Sequence, residues 1–200
     1  HEQTALLARD GGQLSGTGVS VNLVPKAANG AIVTANNMTG VSAQAGGQVS
    51  LRDSAITRGG GVNGLNNQGL VAVGAGSRID FLGGSVSTQS KGSIAALAQD
   101  GGKITLGQGS TLTTSGANSP TTGSHGLKAD GADSQISASQ ISVTTKGTQA
   151  NAARADAQDL ADGDGRRHGE RVQDDINRLT VGEEGHVFLR HNAGDHTLVA

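Results

Sequence analysis

The sequence predicts an all-β chain. Residues 1–156 read as a right-handed parallel β-helix (β-solenoid), and residues 157–200 as an irregular charged tail. Three observations carry this. Aliphatic residues come in short pulses between Gly, Ser, Thr, Asn and Gln; one phrase recurs five times; and aromatic residues are only 1% of the 200.

Composition narrows the class first. With two Phe, no Trp, no Tyr and 33 Gly, the chain lacks the aromatic payload on which compact cores of this size usually rest. Hydrophobic content is 34%, yet its pulsed distribution differs from the even polarity of a disordered segment. A net charge of −2 supplies no basic stripe for counterion release, so no nucleic-acid partner is expected. The absence of Cys excludes a disulfide framework and thiolate metal sites. No apolar run approaches the roughly 18 residues of a membrane span. Beginning at His1 with neither Met nor an apolar leader, the chain reads as an internal fragment.

The five copies are Ala8-Arg-Asp-Gly-Gly-Gln-Leu14 with Val19 following; Ala43-Gln-Ala-Gly-Gly-Gln-Val49-Ser-Leu51 with Ile56; Ala72-Val-Gly-Ala-Gly-Ser-Arg-Ile79-Asp-Phe81 with Val86; Ala98-Gln-Asp-Gly-Gly-Lys-Ile104-Thr-Leu106 with Leu112; and Ala129-Asp-Gly-Ala-Asp-Ser-Gln-Ile136 with Ile141. From Leu14 to Ile136 their aliphatic positions stand 35, 30, 25 and 32 residues apart. The phrase is constant and the linkers vary, as in a repeat array with insertions at loops such as Ala117-Asn-Ser-Pro120.

Within a phrase, Val49-Ser50-Leu51 and Ile104-Thr105-Leu106 alternate aliphatic and hydroxyl side chains, the period of a half-buried strand. Gly46-Gly47 and Gly101-Gly102 supply the turns. Stacking should bury Leu14, Val49, Ile79, Ile104 and Ile136 in one column, and Ala8, Ala43, Ala72, Ala98 and Ala129 where a larger side chain would clash. An antiparallel sandwich also has short alternating strands, but it favours buried aromatics and two-residue hairpins.

Phrases such as Ala98–Leu106, followed by Ser110-Thr-Leu-Thr-Thr-Ser-Gly116, resemble the pertactin-type passenger domains of Gram-negative autotransporters. The resemblance spans about residues 5–156 and is compositional. It implies secretion, passage through an outer-membrane β-barrel translocator encoded in the same polypeptide, and display at the bacterial cell surface or release from it. The implied role is a monomeric adhesin or virulence-type stalk for a host-cell or matrix ligand, with residues 59–69 and 116–126 as contact loops.

After Asp156 the composition changes. Residues 151–200 hold 16 of the 32 charged residues and 4 of the 6 His, but no Ser and no Lys, against 18 Ser and 5 Lys before them. A domain boundary, a charged disordered tail and an out-of-frame reading all fit. Read one base later, codons for residues 158–164 permit Lys-Ile-Ser-Leu-Thr-Gly-Thr, which is similar to Lys103-Ile-Thr-Leu106. A frameshifted, non-functional relic is therefore one reading of the chain.

No catalytic, cofactor-binding or metal site is expected. Asp159-Leu-Ala-Asp-Gly-Asp-Gly165 misses calcium-loop spacing, with Arg166 and Arg167 where a ligand and the Gly belong. His186, His191 and His196, five apart, match neither a zinc helix nor alternate strand positions. His125 reads as a solvated loop residue. Gly59-Gly-Gly-Val-Asn-Gly64 lacks both the Asp of a calcium nonapeptide and the Gly-Lys-Ser/Thr of a phosphate loop. Asp10, Asp53, Asp80, Asp100, Asp130 and Asp133 read as turn residues and give no general acid and base pair. A polysaccharide-degrading enzyme is the competing class; it would need clustered acidic or basic side chains and aromatic platforms.

Overall fold

A computed structural model describes residues 3–59, 64–116, 123–146, 150–156, 178–192 and 195–199. Among these the chain is all-β with no helix, and its two sheets are predominantly parallel.

The six-stranded sheet is wholly parallel. It runs β1 (Gln3–Arg9), β4 (Met38–Gln44), β6 (Gln68–Val73), β8 (Ala96–Gln99), β11 (Leu127–Asp130) and β13 (Ala153–Asp156), each strand one repeat after its neighbour. Its register sets Ala8, Ala43, Ala72, Ala98 and Ala129 side by side. All five alanines are buried.

The second sheet contains β2 (Gln13–Thr17), β3 (Ser20–Leu23), β5 (Gln48–Arg58), β7 (Arg78–Thr88), β9 (Lys103–Gly107), β10 (Thr111–Thr114) and β12 (Gln135–Thr145), again in parallel. Leu14, Val49, Ile79, Ile104 and Ile136 are successive register partners across it. The column expected from the phrase is thus present, buried at every position except Leu14, which lies half-buried in the edge strand β2.

A second aliphatic column comprises Val21, Ile56, Val86, Leu112 and Val143. Val19 and Ile141, which follow the first and fifth phrases, stand two residues before its members Val21 and Val143. The cause is a corner inside each strand path: Gly18, Asp53, Gly83, Gln108 and Gln140 all take positive φ. Such a residue breaks the period-2 alternation, so the inward set resumes seven or eight positions after the first column. At this corner Gly84, at φ 92, lies against the Ser54 carbonyl, leaving no room for a Cβ.

The turn between the sheets explains the phrase. In Asp10-Gly11, Ala45-Gly46 and Asp100-Gly101 both residues have positive φ, closed by hydrogen bonds from Gly12 N to Arg9 O, Gly47 N to Gln44 O and Gly102 N to Gln99 O. This is type I′ geometry. Asp10, Asp100 and Asp133 are turn residues as expected, whereas Asp53 lies inside β5 at its positive-φ corner, and Asp80 and Asp130 lie in strands beside Arg78 and Lys128.

Ala129 pairs with Ala155, not Ala153, which pairs with Leu127. Counted from Ala155, the next column position falls at 161 or 162, whereas the shifted-frame string, matched to the phrase by counting from Ala153, places its isoleucine at 159; the register therefore does not support that match. The irregular tail expected from residue 157 lies partly outside the described residues. Those described form strands: β14 (Arg178–Asn192) pairs antiparallel with β12, and β15 (Asp195–Val199) antiparallel with β14.

Candidate functional site

The Gly-rich contact loop expected at residues 59–69 is described only at its flanks. Gly64, Leu65 and Asn66 are tied to the neighbouring strand path: Lys91 N donates to Gly64 O, Asn66 N donates to Lys91 O, and Leu65 forms a parallel bridge with Lys91. On the other side Asn36 Oδ1 accepts from Leu65 N at 2.9 Å. Residues 60–63 and 117–122, and so the tips of both expected contact loops, lie outside the described residues, as does Asp159-Leu-Ala-Asp-Gly-Asp-Gly165.

Beneath these loops runs a buried polar seam that sequence reasoning missed. Asn67 accepts from Met38 N at 3.0 Å and donates to Ala35 O and Ser90 Oγ at 2.9 and 2.6 Å. Ser90 N donates to Ser93 Oγ at 3.1 Å. These satisfied bonds let an amide and two hydroxyls sit fully buried. Their role is to fix the chain where it leaves the interior for each excursion.

His125 belongs to the same seam and corrects the expectation of a solvated loop residue. It is 2% exposed. Its Nδ1 accepts from Asn151 N at 3.1 Å, and its Nε2 lies 3.2 Å from Arg154 Nη1. A ring nitrogen accepting from a backbone N–H carries no proton, so Nδ1 is the unprotonated nitrogen of the ring. The partner lies 26 residues downstream, beyond any local pattern.

Arg58, at the end of β5, is also buried. Its Nη1 donates to Leu23 O at 2.7 Å, while burial lowers the guanidinium to about 10. No sequence signal marked it, because it closes a strand of ordinary alternation.

The outer face of the second sheet carries Gln13, Gln48, Arg78, Lys103 and Gln135 in register. Arg78 Nε donates to both Asp80 oxygens at 2.9 Å, and this hydrogen bond, with the charge of Asp80, raises the guanidinium above its ordinary value. Such a face offers repeated hydroxyl, amide and charged groups to a ligand. Among the described residues no three His, Asp or Glu side chains group as a metal site would need. His191 and His196 are register partners of β14 and β15, and His186 stands opposite Ser139.

One excursion was not singled out by the sequence. Residues 24–37 project as a small hairpin, with Lys26 and Ile32 bridged antiparallel, Val33 N donating to Pro25 O, and Ile32 and Val33 exposed. The longest repeat interval, 35 residues, was its available signal.

No family model matches the chain, and no curated protein or solved structure matches it either.

Proposed function

We propose that residues 1–156 form a right-handed parallel β-solenoid of the autotransporter-passenger type. It acts as a surface-displayed or secreted adhesive stalk in bacterial cell-surface interactions. The observation that supports this most is the unbroken register from Leu14 to Ile136, with Ala8 to Ala129 running beside it. Such stacking gives a rigid one-dimensional scaffold whose excursions can vary without disturbing the column. Right-handedness follows from the general preference of parallel crossovers. An outer-membrane β-barrel would be the export partner, a host-cell or matrix molecule the ligand, and the stalk itself a monomer.

The test is antibody labelling of intact bacteria carrying the full locus. Labelling that is abolished by external protease supports display. Antigen found only after cell lysis, with none in the medium, overturns it.

The tail has a second reading, favoured by the compositional break after Asp156, where Ser and Lys vanish and charged residues become dense. In that reading the remainder is translated out of frame and the product is a relic. The flanking DNA decides, since a continuing repeat in the shifted frame supports it and early stops without repeat oppose it.

A further inference from the structure

Arg58 is the one long charged side chain among the largest fully buried residues. Its register equivalents in the following strands are Thr88, Thr114 and Thr145. A threonine there is short and neutral; the arginine brings a charge into the interior. Gly40 packs against it: a methyl at that position would meet Ile56 Cγ2 at 2.6 Å, the Gly69 carbonyl at 2.8 Å and Arg58 Cδ at 3.2 Å.

The guanidinium is satisfied on one side only. Nη1 is used by the Leu23 carbonyl, but Nε and Nη2 have no acceptor among the described residues. These two nitrogens form the side-on edge of the guanidinium, the fork that grips a carboxylate or another small anion. The buried Thr88 hydroxyl, on the register partner of Arg58, is equally without a partner. Three orphaned polar atoms thus come from two adjacent residues. The ion pairs Arg9–Asp10, Arg78–Asp80 and Lys128–Asp130 leave Arg58 out.

A buried charge without a counter-charge is among the most expensive features a protein can carry. Deprotonation does not remove it, since a value of about 10 leaves the group charged at neutral pH. Water could satisfy the donors but not the charge.

We propose that Arg58 Nε and Nη2, with Thr88 Oγ1, bind a small monovalent anion inside the fold, and that this anion is a structural ligand of the first repeats. A ligand that binds the folded chain alone stabilises it by mass action. The test is urea unfolding of the whole chain at constant ionic strength, with sodium gluconate replaced stepwise by sodium chloride and, in a second series, by sodium nitrate. A saturable site predicts that, above half-saturation, each tenfold rise in chloride or nitrate multiplies the folded-to-unfolded ratio about tenfold.

Arg58→Met should abolish this dependence. Thr88→Val, which keeps shape and charge, should retain it with half-saturation moved several-fold higher. Identical curves in gluconate, chloride and nitrate for the unsubstituted chain would overturn the proposal, as would an equal anion dependence in Arg58→Met. If Arg58→Met does not fold, the Thr88→Val curve decides, and no change in its half-saturation overturns the assignment.

Discussion

Ser134 Oγ accepts the Gly101 N–H at 3.1 Å, and Ser77 Oγ accepts the Gly46 N–H at the same distance. Each serine also donates to a carbonyl of its own turn, Ser134 to Asp130 and Ser77 to Val73. The third and fifth phrases carry one more residue between alanine and aliphatic column than the others do. In those two, the positive-φ residues of the turn are separated by one residue, Gly74 and Gly76 or Gly131 and Asp133, and the serine N–H closes on the first of them. The extra residue brings in a hydroxyl that satisfies the turn of the preceding phrase, so the columns stay in register despite the unequal lengths.

Ser134→Ala should therefore leave the buried Gly101 N–H without an acceptor and destabilise the chain by about 1–3 kcal/mol. Ser85→Ala, on an exposed position of β7, should change stability by less than about 0.5 kcal/mol. Urea unfolding of the two variants beside the parent checks the contrast, and equal effects would contradict the bridging role.

The aliphatic column should respond according to depth. Ile104→Ala opens a cavity at a site with 1% exposure and should cost about 2–5 kcal/mol. Leu14→Ala, half-buried in an edge strand, should cost clearly less. Thermal or urea midpoints measure both. A larger loss at Leu14 would mean that the stack is not ordered as described.

Sequence periodicity carried the first column because Ala and an aliphatic flank the same turn in every phrase, so local spacing is enough. The second column was only partly legible. Gln108 and Gln140 take φ 55 and 51, and nothing in a Gln announces a left-handed corner. The pulse residues Val19 and Ile141 therefore stand two positions before Val21 and Val143, the residues in register. Likewise Arg58 and His125 acquire their burial from strands contributed by other repeats, a non-local effect that residue type alone argues against.

The glycines at the corner separate two effects. Gly18, at φ 67, has nothing within 4 Å of an added Cβ, so Gly18→Ala should cost only the left-handed backbone, roughly 1–2 kcal/mol. Gly84→Ala adds collision with the Ser54 carbonyl and should prevent β5 and β7 from pairing in their present register. Chemical denaturation and amide exchange in Ser54–Arg58 measure the difference. Similar small losses in both variants would refute the close approach.

Arg58 gives the stability a defined pH dependence in an anion-poor buffer. Its folded value, about 10, lies below that of a free guanidinium, so between these values the unfolded chain binds more protons than the folded one. Stability then rises with pH across that interval, because the slope follows the protons held by the unfolded state minus those held by the folded state. Below pH 10 the full penalty of the buried charge is present, and it fades as pH rises through that interval. Other groups titrate in the same range, so the measurement is the difference between the parent and Arg58→Met, by urea unfolding from pH 8.5 to 11. Relative to the variant the parent should gain stability as pH rises, and a constant or falling difference would show that the guanidinium is not desolvated.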